Sequence, residues 1–142
     1  MTIFTKMNGA GNDFVMIDNR TGWFSYDRDQ IARLCDRHRG VGADGLIAAE
    51  LPSSEEAHLK MRYFNADGGE AEMCGNGARC FSRFGARLLS LEGSIRFETL
   101  AGTLSALLLG EQVQLAMSQP QQIALGSPLS VSQHPLEVHF LN

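Results

Sequence analysis

Three alternating runs stand almost end to end, "SIRFETL" (Ser94–Leu100), "GTLSALLL" (Gly102–Leu109) and "QVQLAMS" (Gln112–Ser118), separated only by "AG" and "GE". Apolar residues at every second position describe strands with one face turned to a core. A break of one or two residues can only reverse the chain, because parallel neighbours need a crossover of about a dozen residues or more. The runs therefore predict an antiparallel meander, and any fold must accommodate it.

Upstream, "GLIAA" (Gly45–Ala49) and "HLKMRYFN" (His58–Asn65) also read as strands, the second with Leu59, Met61 and Tyr63 alternating against Lys60 and Arg62. Near the N-terminus, Ile3 to Lys6 and Asp13 to Asp18 flank "NGAGN", where glycine permits positive φ, so a hairpin or tight corner is expected. Two segments have helical spacing. From Asp27, residues Ile31, Leu34, Cys35 and His38 share a face, with Gly40 placed to end the helix in a left-handed conformation. From Asn76 to Leu89, Cys80, Phe81, Phe84 and Leu88 share another, so a second helix should begin just after Cys74. An α+β lobe with a mixed, largely antiparallel sheet results.

The stretch Ser118–Ser132, "SQPQQIALGSPLSVS", is rich in Ser, Gln and Pro and marks a boundary or crossing segment. Residues 1–117 then form one lobe, and 118–142 a crossing segment and the start of an incomplete second lobe. The closing "LEVHFLN" alternates again through Leu136, Val138 and Phe140.

A chain of 142 residues is one ordinary domain or one lobe of something larger. Lys and Arg number 12 against 16 Asp and Glu, a formal charge of −4 without a basic run, which speaks against nucleic acid or an anionic membrane as partner. The first residues lack a signal peptide and no apolar run is long enough to span a bilayer, so a soluble, cytoplasmic protein is expected. Three cysteines at irregular spacing argue against a disulfide framework, and the absence of C-x-x-C and of zinc-ligand spacing argues against a metal.

One motif carries chemistry: "EAEMCGNGARC" (Glu70–Cys80). A thiol is a base or nucleophile only as the thiolate, a form that helix N-termini favour through their unpaired amides. Cys74 stands where such a helix should start. Gly75 and Gly77 would let backbone N–H groups approach an anion closely, as at other helix N-termini. The plainer alternative is that Cys74 is a small buried hydrophobe and the glycines only shape a turn. Cys35 and Cys80, on apolar helix faces, read as core residues.

Four segments in order, "FTKMNGAGNDFVMID", "RHRGVGADGLI", "MRYFNADGGEAEMCGNGARCFSRF" and "FETLAG", resemble the N-terminal lobe of diaminopimelate epimerase. The resemblance is close over roughly the first 100 residues and one of pattern only beyond Leu109. It implies a mixed or antiparallel sheet wrapped around a central helix. It also implies a cofactor-independent epimerase, needing neither pyridoxal phosphate nor metal, that converts LL- to meso-diaminopimelate for lysine and peptidoglycan precursor synthesis. Two cysteines from two pseudo-symmetric lobes would face one α-carbon, and Cys74 matches the first.

Matched residue by residue, the resemblance makes Asn12, Asn65, Gly75 and Asn76 substrate-contacting positions. Some relatives carry a polar amide after the residue corresponding to Asp44; Gly45 stands there in this chain, so that contact is not transferred. Asp67, Glu70 and Glu72 read as solvated or capping residues. The second lobe, with the opposing cysteine and a gripping Glu and Arg, lies beyond these residues, and the complete enzyme is expected to be a homodimer. On this reading the chain is a fragment, a processed or split product, or half of a two-chain enzyme. The alternatives are a racemase or isomerase of the same fold acting on another amino acid, and a non-catalytic half-protein that binds an amino acid or a partner lobe.

Overall fold

A computed structural model describes residues 3–117, 124–131 and 134–140. Its elements run β1 (Thr5–Gly9), β2 (Asn12–Asp18), α1 (Arg28–Cys35), β3 (Gly45–Glu50), β4 (Leu59–Asn65), β5 (Glu70–Ala71), α2 (Gly75–Leu89), β6 (Ser94–Thr99), β7 (Gly102–Leu109), β8 (Gln112–Ala116), β9 (Ala124–Val131) and β10 (His134–Phe140).

Strands β1 to β8 make one mixed sheet in the order β1-β2-β3-β4-β6-β7-β8, with β5 paired to β4. The predicted meander is β6-β7-β8, joined in antiparallel register from Thr99↔Gly102 to Leu109↔Gln112. Among the described residues only β2–β3 and β4–β6 pair in parallel, and each of these pairs is bridged by a helix, α1 and α2 respectively. That is what a parallel pairing requires. The first hairpin closes through Ala10 (φ 52) and Gly11 (φ 94), two positive-φ residues whose twist suits a two-residue turn.

Helix α2 packs against β1, β2, β3, β4, β6, β7 and β8, so the sheet curls around it. Between them lies the inner core, where Phe14, Met16, Ile47, Leu59, Phe81 and Phe97 are buried. Phe81 and Phe97 meet with ring centroids 4.9 Å apart. A second core on the outer face gathers Val15, Ile17, Leu46, Ala48 and Phe64 against Ile31 and Cys35 of α1. Because β2 and β3 are covered on both faces, they read "FVMI" and "LIAA", unbroken apolar runs, whereas β6 and β7 alternate.

Two expectations change in the structure. Strand β1 begins at Thr5, leaving Ile3 before it and exposed. Helix α1, capped at Asp27 through Gln30 N–H at 2.8 Å, ends at Cys35, short of Gly40. There the extended Asp36 takes over, its carboxylate accepting the N–H of His38 at 2.7 Å and of Arg39 at 3.0 Å. The helical period that reached His38 was cut by this local side-chain turn. Gly40 is not left-handed; a Cβ there would come within 2.0 Å of the Arg33 carbonyl oxygen, so glycine is needed because the chain folds back onto the last turn. Gly42, at φ +75, supplies the left-handed residue instead.

Within Ser118–Ser132, residues Ala124–Val131 form β9, an antiparallel hairpin with β10. Residues 118–123 lie outside the described part. Pro128 and Pro135 disguise these strands, but a two-stranded sheet has a free edge on each strand, where proline is tolerated.

Candidate active site

Antiparallel and parallel pairing together bring the predicted site residues to one end of the sheet. Asn12 opens β2, Gly45 opens β3, Asn65 closes β4, and α2 begins at the same end. Gly45 faces Asn65 across the β3–β4 ladder and Phe14 across β2–β3. A side chain at Gly45 would meet the Phe64 carbonyl oxygen at 2.5 Å and the Tyr63 ring at 2.8 Å, so this backbone leaves no room for one.

Cys74 is the N-cap of α2, in extended conformation (φ −137, ψ 120), and its Sγ accepts the Gly77 N–H at 3.4 Å. Ser, Thr, Asp or Asn usually holds this place with an oxygen. Here sulfur does so, in a half-buried residue that, like Tyr63 and Met73, packs against the inner core. The two glycines that follow differ in cause. A Cβ on Gly77 would stand 2.8 Å from Ile47 Cδ1, so that glycine seats the helix on β3. A Cβ on Gly75 would meet nothing nearer than Arg79 Nη1 at 3.9 Å, and its φ is not positive. Neither packing nor backbone geometry calls for glycine at 75, and the space above it is open.

Asn12 and Asn76 meet directly: Asn76 Nδ2 donates to Asn12 Oδ1 at 2.6 Å, and Asn12 Nδ2 donates to Asp44 Oδ2 at 3.2 Å. Arg79, one helical turn after Asn76, donates to Asn76 Oδ1. Asn65 is exposed, its Oδ1 accepting the Tyr63 hydroxyl at 2.7 Å while its backbone closes the turn through Gly69 and Gly68. Asn12, Cys74, Gly75 and Asn76 thus form one cluster, and Asn65 lies on the rim of the same sheet end. Burial, and the charge that Cys74 would carry as thiolate, push the Tyr63 phenol up.

Behind the asparagines lies an ion-pair network. Asp13 receives Arg37 Nη2 at 2.8 Å and Lys6 Nζ at 2.9 Å, and Arg37 also reaches Asp44 at 2.9 Å. The Arg37 guanidinium, then the Lys6 ammonium, hold the Asp13 carboxyl well below the usual carboxylate range. A carboxyl whose pKa is depressed on folding contributes stability above its unfolded pKa of about 3.9 and loses it as pH falls toward the folded value. Asp13→Asn should accordingly be less stable than wild type near neutral pH, with the gap in urea midpoint narrowing below about pH 4. A gap independent of pH would show that the network does not act through charge.

Sequence reasoning missed Asp44, Arg37 and Arg79. Arg79 had a signal, since three residues after Asn76 on a helix is the same face. The other two had none, being brought in by the loop between α1 and β3. Asp67 and Glu70 are engaged by arginines: Asp67 by Arg28 at 2.7 Å and Glu70 by Arg62. Cys35 and Cys80 lie in the outer and inner cores.

A separate cavity of about 780 Å³, lined by Ile3, Phe4, Trp23, Leu51, Phe84 and Leu88, opens toward the other end of α2 and includes none of the predicted site residues. Among the described residues no helix is long and apolar enough to cross a membrane, and no three His, Cys, Asp or Glu side chains gather as a metal site.

The chain is 47% identical over 124 residues to diaminopimelate epimerase of Synechocystis, covering 85% of this chain and 44% of that one. It is 46% identical over 123 residues to the chloroplastic diaminopimelate epimerase of rice, covering 82% and 34%. Among solved structures, a phenazine biosynthesis protein of the PhzF family from Bacillus anthracis superposes with a TM-score of 0.59 at 21% identity, over 89% of this chain and 42% of that one, a likeness of fold alone. The chain spans about half the length of bacterial relatives such as those of Synechocystis (44%) and Rippkaea orientalis (52%). The sequence model of the diaminopimelate epimerase family matches residues 4–123, and the chain belongs to that family.

Proposed function

We propose that this chain supplies one of the two acid/base thiols of a cofactor-independent epimerase acting on the α-carbon of diaminopimelate. The observation that carries the reading is Cys74 at the N-cap of α2, with open space above Gly75 and the Asn12–Asn76 pair beside it. The substrate's α-carboxylate would sit against the first-turn N–H groups of Gly75 and Asn76, which have no partner within the helix. The Cys74 thiolate would take the α-proton, its electron pair remaining on a carbanion that the bound carboxylate helps to stabilise. A thiol on the opposite face would return a proton there and invert the centre. The Gly77 N–H suits this cycle, because a thiolate accepts it better than a thiol does.

Inversion needs two groups facing each other across a planar carbon. Cys35 and Cys80 are 3% and 4% exposed in the two cores, so the opposing thiol is assigned to a second lobe outside the described residues. With that lobe the protein would be a cytoplasmic homodimer, with residues 1–117 as first lobe and 118–142 as the crossing segment and the start of the second lobe.

The test is proton NMR of LL-diaminopimelate in deuterated water. The purified chain alone is expected to give no sustained conversion to the meso form, and addition of the C-terminal half of the Synechocystis relative is expected to start it. Conversion by the chain alone would overturn the assignment of the second thiol. Conversion by a reconstituted Cys74→Ala variant would overturn that of the first.

A further inference from the structure

We propose that Asp44 and Arg79 are positioning residues that hold the Asn12–Asn76 amide pair in a single orientation from its two ends. An asparagine amide is ambiguous by itself, since its oxygen and nitrogen are nearly the same size and the group can turn over. A carboxylate is not ambiguous, because it only accepts, and a guanidinium only donates. In this fold two amides stand in series between one of each.

The series runs from Asp44 Oδ2 to Asn12 Nδ2 at 3.2 Å, from Asn12 Oδ1 to Asn76 Nδ2 at 2.6 Å, and from Asn76 Oδ1 to the Arg79 guanidinium. Only one arrangement satisfies every contact. Turning Asn12 over would set oxygen against the Asp44 carboxylate and nitrogen against the Asn76 nitrogen. Turning Asn76 over would set nitrogen against the guanidinium and oxygen against the Asn12 oxygen. Each reversal replaces two hydrogen bonds with two repulsions in a half-buried place.

The first member is itself fixed. Asp44 Oδ2 also accepts the Asp13 N–H at 3.0 Å, and Asp44 Oδ1 accepts Arg37 at 2.9 Å. Each amide oxygen uses one lone pair along the series, and each asparagine keeps for a ligand its second N–H and the oxygen's other lone pair. This part of the site would then offer a ligand N–H donors in fixed directions, which suit a carboxylate, with the oxygens equally fixed as acceptors. That consequence rests on the reading of the Cys74 site as an amino-acid site. The relay also ties the start of β2, the loop before β3 and the first turn of α2 to one another.

The experiment needs neither turnover nor ligand, so its failure is distinct from failure of the Cys74 chemistry. In ¹⁵N-labelled protein the side-chain NH₂ resonances of Asn12 and Asn76 are followed by NMR. Asp44→Asn, which keeps shape but removes the obligate acceptor, is expected to shift both pairs and to speed their exchange with solvent, although Asn76 reaches residue 44 through Asn12. Arg79→Gln, acting from the other end, is expected to shift the Asn12 pair and keeps the test open should Asp44→Asn fail to fold. An Asn76 pair unmoved by D44N, or an Asn12 pair unmoved by R79Q, would overturn the proposal.

Discussion

Brief iodoacetamide treatment of the native protein near neutral pH is expected to alkylate Cys74 and to leave Cys35 and Cys80 unmodified. Reactivity toward an alkylating agent follows thiolate fraction and access. Cys35 fails on both counts: it is 3% exposed, and burial pushes its thiol up to about 11. Roughly one such thiol in a few thousand is ionised at about pH 7.5. Cys80 is 4% exposed, and burial pushes it up as well. Cys74 alone is partly open to solvent, at the N-terminus of a 15-residue helix and beside a glycine with nothing packed over it. Its labelling should exceed that of the other two by at least about a hundredfold, as mass spectrometry of tryptic peptides would show, and all three should react once the chain is unfolded. Preferential labelling of Cys35 or Cys80 would place the reactive thiol elsewhere and remove the main support for the proposed chemistry.

Phe81→Ala is expected to be the costliest of the simple core truncations. The ring is fully buried on the face of α2 about which the sheet curls, against Phe97 on β6. Losing a buried phenylalanine costs about 3–5 kcal/mol, a large part of what a domain of this size commands. Urea denaturation would read this as a drop in midpoint at unchanged slope, or as loss of a cooperative transition. A loss below about 1 kcal/mol would mean that α2 does not organise the inner core. The contrast is Trp23→Ala: that ring is 47% exposed, and the effect on stability should be several times smaller.

What the amino-acid sequence determined by itself is whatever depends on neighbours within a few positions. The period-two runs of β6 to β8 are enough for a meander, because two-residue breaks leave no other path. The apolar stripe of α2, with Cys74 immediately ahead of it, is likewise local, since a helix start is decided by one turn of chain. Even the positive φ at Gly11 is a property of four residues.

Only the tertiary structure decided the rest. Gly40 looked like a helix terminator and is instead a point where the chain crosses its own last turn, a contact that helical spacing does not encode. The composition of 118–132 concealed β9, because a free-edged strand tolerates the prolines that local rules read as breakers. The site itself is long-range. Asn12 meets Asp44 across 32 positions and Asn76 across 64, and these meetings exist only because β2 and β3 run parallel and α2 starts at their shared end. A lone asparagine in a glycine turn carries no orientation in its sequence; a carboxylate on one side and a guanidinium on the other impose one, and only the folded chain brings them there.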